Sequence, residues 1–309
     1  MSIVIIFNNK DPKPWAEALE KFLPEDKVFV YPNVPDPQSV LLAICWKPVP
    51  GVLSEFPNLR LVQSAGAAVD HLIRTQSFRE TMLLARIVDE NLSNDMWEYL
   101  LAGSMSMIRT FSTYESNQEE KRWEQLSYST IGQTTIAVLG LGKIGAATAR
   151  KLSVLGFSVR GWSATKKEIE GVNCYYGNEQ LDLTLTGADI LINILPLTPE
   201  TENILNTKNL LKLNKGAGLI NVARGEHLVE DDLLDLLASG HLSAARLDVF
   251  REEPLPKDHP FWEQKKIGIT PHIASLTNIN SAINQVVQNY RNLKDGKEVR
   301  NLVSIQKGY

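Results

Sequence analysis

Cysteine is scarce: Cys45 and Cys174 are the only two among 309 residues. Two thiols cannot build the disulfide framework of a small secreted scaffold, so the expected setting is a reducing one, the cytoplasm. Long apolar runs are absent too. No stretch is long enough to span a bilayer. The opening run Ser2-Ile3-Val4-Ile5-Ile6-Phe7 has no basic leader and is too short for a secretion signal, so it reads as a strand. There is no excess of positive charge: the net charge is −4 and the pI about 5.8. That balance argues against a dedicated nucleic-acid surface, and the absence of a membrane span argues against a membrane role. No His-Glu-x-x-His pattern and no Cys/His cluster offers a metal site. Low-complexity tracts and short repeats are also missing.

What remains is ordinary for a soluble globular chain, with 43% hydrophobic and 22% charged residues. The length suggests two domains. Apolar runs alternate with segments of helical period throughout. Strands are expected at 3–7, 28–31, 41–46, 59–64 and 83–88. A second set is expected at 135–139, 157–162, 174–176, 189–194, 218–222, 244–249 and 267–270. This alternation predicts an α/β fold of two Rossmann-like, doubly wound parallel sheets. One long helix is expected over 94–113. The amphipathic segment 276–293 is expected to return to the first sheet, which lacks a last helix. The first domain, flavodoxin-like, is then discontinuous: 1–97 plus 277–309, around a dinucleotide-binding domain at 98–276.

The second domain opens with Val138-Leu139-Gly140-Leu141-Gly142-Lys143-Ile144-Gly145. A strand precedes this stretch and a helix follows it, the context in which G-x-G-x-x-G binds a dinucleotide. Gly140 permits the tight turn, Gly142 lets the backbone approach a pyrophosphate, and Gly145 lets the helix lie close to the strand. Amides near Lys143 and Ile144, with the helix dipole, favour the phosphates. The next strand ends Gly161-Trp162-Ser163-Ala164-Thr165-Lys166-Lys167, without the acid that usually holds the ribose of NAD. Ser163, Thr165, Lys166 and Lys167 suit a 2′-phosphate instead, so NADPH is expected over NADH. Both lysines are otherwise ordinary surface charges.

Three further groups follow strands of this second set. Arg224 lies in Asn221-Val222-Ala223-Arg224-Gly225, Glu253 precedes Pro254, and His272 follows Pro271. Each alone fits a surface ion pair, a turn residue or a packing group. Together, at carboxyl ends of strands, they make a hydride-transfer site for a 2-oxo acid. Arg224 would hold the carboxylate and polarise the carbonyl. His272 would donate the proton, and Glu253 would orient its ring and favour its charged form. In the first domain the same rule of strand ends brings Trp46 and the turn Gly66-Ala67-Ala68 to a cleft. There Trp46 fits a packing aromatic equally well, and the two alanines a plain helix start.

With these motifs in order, the chain resembles the D-isomer-specific 2-hydroxyacid dehydrogenases over nearly its whole length. The glycine loop, Leu195-Pro196-Leu197-Thr198-Pro199-Glu200-Thr201, the segments 221–225 and 248–254, and Pro271-His272-Ile273-Ala274-Ser275 carry the likeness. The Trp46 segment and Gly161-Trp162-Ser163 look most like the glyoxylate/hydroxypyruvate reductase A branch. The resemblance implies an Arg224–Glu253–His272 catalytic set and substrate contacts from Ala67 and Ala68 beside Trp46. It implies that Asp248 and the carbonyl of Val222, next to Ala223, hold the nicotinamide carboxamide. The loop of Leu195, Pro196 and Thr201 is expected along the cofactor. A homodimer and a closing cleft are also implied. Two departures stand out: Ala68 where the family often has glycine, and Ala164 where the branch usually has arginine. The expected activity is NAD(P)H-dependent reduction of glyoxylate and hydroxypyruvate. The alternative is a nucleotide-sensing corepressor-like protein on the same fold, although the core carries no added tails. A short-chain oxidoreductase is disfavoured, because no Tyr-x-x-x-Lys pair follows the glycine loop.

Overall fold

The computed structural model describes residues 1–306. Contacts divide the chain into two units: Met1–Leu92 with the segment from Leu276 onward, and Ser93–Ser275. The expected borders were 97/98 and 276/277. Among the described residues, no helix is long and apolar enough to cross a membrane.

The first unit runs β1 (Ser2–Phe7), α1 (Lys13–Phe22), β2 (Lys27–Val30), β3 (Val40–Trp46), β4 (Leu61–Ser64), α2 (Asp70–Ile73) and β5 (Leu83–Ala85). The strands are parallel, in the order β2-β1-β3-β4-β5, the flavodoxin-like arrangement. β1 is apolar throughout because both faces of the sheet are covered. Ile3 and Ile5 join one buried cluster, while Val4 and Ile6 join another. β5 stops short of the expected residue 88. The amide of Arg86 donates to the carbonyl of Asn301 and that of Ile87 to the carbonyl of Gly66, so the ladder ends at Ala85.

The second unit takes in most of α3 (Glu90–Ile108), then α4 (Phe111–Glu119), β6 (Thr135–Leu139), α5 (Lys143–Val154), β7 (Ser158–Ser163), β8 (Asn173–Tyr176) and α6 (Leu181–Leu185). It continues through β9 (Ile190–Asn193), α7 (Thr207–Leu210), β10 (Ala217–Asn221), α8 (Glu230–Ala238), β11 (Leu242–Leu247) and β12 (Ile267–Ile269). Its parallel order is β12-β11-β10-β9-β6-β7-β8. Strand order reverses between β6 and β9, where such sheets open a crevice at their carboxyl ends. The single helix expected over 94–113 is two. Thr110 takes a left-handed conformation, φ +53°, between α3 and α4. The apolar period reads straight across that residue, so the break leaves little trace in the sequence.

The last helix, α9 (Ile279–Lys294), is capped by Asn278, whose side chain accepts from the amide of Asn280 at 2.9 Å. It belongs to the first unit. Ala282, Ile283, Val286, Val287 and Tyr290 are buried in the cluster that holds Trp15 and Leu19 of α1 and Ile3 and Ile5 of β1.

The β6–α5 turn sets a sharp test. A Cβ on Gly145 would lie 1.8 Å from the carbonyl oxygen of Gly140, whereas one on Gly142 meets nothing within 4 Å. Gly145→Ala is expected to cost about 3 kcal/mol or more. Gly142→Ala should stay within about 0.5 kcal/mol of the parent. Chemical denaturation of both variants measures the difference.

Candidate active site

Gly140 follows β6 at φ +104°, and a Cβ there would stand 2.7 Å from the carbonyl of Ile194. Gly142 is the N-cap of α5, and no side chain caps this end. The first amides of the helix are left for another acceptor, and the dipole makes that acceptor preferably an anion. An open Gly142 over an uncapped 12-residue helix fits a dinucleotide pyrophosphate. Lys143 and Ile144 form the first turn. At the end of β7, Ser163 is buried and its hydroxyl donates to the carbonyl of Thr165 at 2.8 Å. Lys166 and Lys167 are exposed, and Lys166 pairs with Glu168 at 3.0 Å. The loop after β9 is clasped from within. The Thr201 hydroxyl donates to the carbonyl of Pro196 at 2.8 Å and accepts from the amide of Thr198 at 2.9 Å. Leu195 is buried beside it.

The three catalytic candidates follow three adjacent strands. Arg224 is half-buried three residues past β10, and its Nη1 donates to the carbonyl of Ala223 at 2.5 Å. Val222 and Ala223, between them, are buried. Gly225 is a residue the sequence reading missed. A Cβ there would lie 1.9 Å from the carbonyl carbon of Phe250, so the Arg224 turn rests directly on the segment leading to Glu253. Glu253 in turn meets His272. Its Oε1 and Oε2 lie 3.1 and 3.0 Å from Nδ1 of the imidazole, and Oε1 also accepts from the amide of Phe250 at 3.2 Å. A carboxylate only accepts, so Nδ1 carries the proton, and Nε2 is left for other chemistry.

His272 sits at φ +55°, an uncommon conformation for a residue with a side chain. Asp248 holds it there. The His272 amide donates to the backbone carbonyl of Asp248 at 2.9 Å. The Asp248 carboxylate, 1% exposed, accepts from the amides of Ile273 and Ala274, both at 2.8 Å, and from the Thr270 hydroxyl at 2.6 Å. Thr270 donates to Asp248, so the hydroxyl of Tyr99 on α3, 2.6 Å away, donates to Thr270. Neither Thr270 nor Tyr99 stood out in the sequence, because one closes an apolar strand and the other lies in a long helix.

In the first unit, Trp46 ends β3 and packs on the Gly66 turn. Its ring lies 5.3 Å from that of His71, with Nζ of Lys10 5.0 Å from its centroid. Burial lowers the pKa of Lys10. The turn is tied by Ser64, whose hydroxyl donates to the carbonyl of Ala68 at 2.6 Å. The amides of Ala67 and Ala68 have no acceptor among the described residues. Lys10 and His71 were not anticipated either; only the tertiary fold brings them to Trp46. Among the described residues, no group of three His, Cys, Asp or Glu could hold a metal ion.

The profile of the D-isomer specific 2-hydroxyacid dehydrogenase NAD binding domain matches residues 101–274. The chain belongs to that family. The glyoxylate/hydroxypyruvate reductase A of Yersinia enterocolitica is 37% identical to this dehydrogenase over 314 residues, covering 100% of both chains. Among solved structures, the D-isomer specific 2-hydroxyacid dehydrogenase from Xanthobacter autotrophicus Py2 in complex with NADPH and MES is 38% identical. It superposes with a TM-score of 0.94, covering 100% of this chain and 99% of that one. An NADPH-dependent glyoxylate/hydroxypyruvate reductase from Sinorhizobium meliloti in complex with NADP and sulfate is 32% identical at a TM-score of 0.93, with both chains fully covered.

In this dehydrogenase, the Asp248 cage predicts its own failure. Asp248→Asn turns an acceptor into a donor opposite a backbone amide or the Thr270 hydroxyl. It should cost about 1–3 kcal/mol and speed amide exchange at Ile273 and Ala274. Unchanged protection at those two amides would show that the carboxylate does not hold the loop.

Proposed function

We propose that the chain is an NADPH-dependent reductase of small 2-oxo acids, glyoxylate and hydroxypyruvate above all, with His272 as proton donor. The observation that carries this reading is the bond from Nδ1 of His272 to both oxygens of Glu253. It fixes the tautomer, so the nitrogen that works is Nε2. Arg224, three residues beyond the neighbouring strand, binds the substrate carboxylate and draws charge toward the carbonyl oxygen. A reduced dinucleotide, its pyrophosphate held at the glycine turn and its nicotinamide ring near Asp248, would supply hydride to the carbonyl carbon. His272 gives the Nε2 proton to the carbonyl oxygen, and Glu253 balances the charge that the ring carries before transfer. The product is the 2-hydroxy acid, of D configuration where the carbon is chiral. The buried Asp248, with the Val222 carbonyl, is the proposed partner of the carboxamide.

The unengaged amides of Ala67 and Ala68 are proposed contacts for the substrate carboxylate. Trp46, stacked on the same turn, favours a short side chain. The choice of NADPH is supported by the lysines after Ser163 and by relatives crystallised with NADPH or NADP. A homodimer made through the second unit is supported by its exposed aromatics: Trp123 is 100% exposed, Tyr128 58% and Phe111 52%. Light scattering checks that mass.

Steady-state rates with glyoxylate, hydroxypyruvate and phenylpyruvate against both reduced nicotinamides test the whole reading. Expected are a higher kcat/KM with NADPH than with NADH and little turnover of phenylpyruvate. His272→Ala should lower kcat by about 100-fold or more while NADPH still binds. A preference for NADH would remove the cofactor assignment. Full turnover in His272→Ala would remove the proton donor.

A further inference from the structure

β9 and β10 lie side by side, and each ends in asparagine: Leu191-Ile192-Asn193 and Leu219-Ile220-Asn221. The two asparagines are register partners, both 0% exposed. A fully buried amide must find partners or lose stability, and each of these does. Nδ2 of Asn193 donates to Oδ1 of Asn221 at 3.0 Å. Oδ1 of Asn193 accepts from the amide of Leu195 at 3.3 Å, at the start of the loop clasped by Thr201. Oδ1 of Asn221 also accepts from the amide of Ala223 at 3.2 Å. Nδ2 of Asn221 donates to the carbonyl of Arg224 at 2.9 Å. Both amide orientations follow from chemistry, since Leu195 and Ala223 offer only N–H and Arg224 only C=O. The residue between Asn193 and Leu195 is Ile194, whose carbonyl faces Gly140. One hydrogen-bonded chain therefore runs from the loop at Leu195, which packs against the glycine turn, to the backbone of Arg224.

We propose that Asn193 and Asn221 are positioning residues that lock the Arg224 turn to the cofactor loop, and so set the affinity of the site for the substrate carboxylate. Neither side chain touches a reacting atom. Asn221 holds the arginine's carbonyl and the amide before it, so its loss lets the guanidinium swing. Asn193 transmits the position of the 195–201 loop to Asn221. The inference rests on the proposed role of Arg224 in carboxylate binding.

The test is steady-state kinetics of the full chain with NADPH and glyoxylate for Asn193→Ala, Asn221→Ala, the double variant and Arg224→Ala. NADPH affinity by fluorescence and Tm are read for each. Asn221→Ala is expected to raise the glyoxylate KM by ~10-fold, with NADPH affinity within ~3-fold of the parent. Asn193→Ala is expected to raise the glyoxylate KM and to weaken NADPH binding. The double variant should be no worse than the worse single one, because the two act as one unit. A fall in Tm with an unchanged glyoxylate KM, or effects that multiply in the double variant, would overturn the proposal. If Arg224→Ala itself leaves the glyoxylate KM unchanged, the carboxylate-binding role of Arg224 fails instead. Should Asn221→Ala not fold, Asn193→Ala decides. It leaves the bond from Asn221 to Arg224 in place while removing the acceptor for the Leu195 amide, and an unchanged glyoxylate KM there would sink the idea.

Discussion

A single carboxylate, buried at the end of β11, organises the carboxyl edge of the second unit's sheet. Asp248 accepts two backbone amides and a hydroxyl through its side chain, and a third amide through its carbonyl. A charge so far from water would be costly without such partners. With them it becomes a clamp that keeps His272 in a left-handed conformation. Strain of that sort persists where the surroundings over-determine it. The orientation of the imidazole toward Glu253 is thus decided partly from the neighbouring strand, and from Tyr99 on α3 beyond it.

The same logic recurs along this edge. Parallel strands buried on both faces are largely apolar, and Asn193, Asn221 and Asp248 stand where β9, β10 and β11 reach their carboxyl ends. Each polar group there is paired: Asn193 with Asn221, Asp248 with the loop after β12, Glu253 with His272. Close backbone packing helps as much as hydrogen bonding. The contact of Gly225 with Phe250 and that of Gly145 with Gly140 exclude any side chain, and they bring in two of the segments that matter.

Much of this could be read from the residues. The twelve strands of the described residues lie where apolar runs stood between turn signals, and α9 groups with the first unit. The glycine turn was legible because its spacing has a mechanical meaning. The positions of Arg224, Glu253 and His272 after strands were legible for the same reason. What escaped was whatever depends on contacts between distant segments. Thr110 interrupts a helix that the apolar period carries through. Lys10 and His71 reach Trp46 only once the sheet exists. The paired asparagines did leave a signal, the same Ile-Asn ending on two apolar strands. Its meaning needs the knowledge that these strands are neighbours in register.

The first unit is made from two segments, Met1–Leu92 and the one from Leu276 onward, on either side of the second unit in sequence. One face of its sheet is only part-covered by α1 until Val286, Val287 and Tyr290 arrive to pack on Ile3, Ile5 and Trp15. During synthesis on the ribosome, the middle of the polypeptide can therefore bury its own core first. The opening strands wait, half-covered, until the ribosome has passed residue 290, and an apolar surface left open that long is prone to wrong contacts.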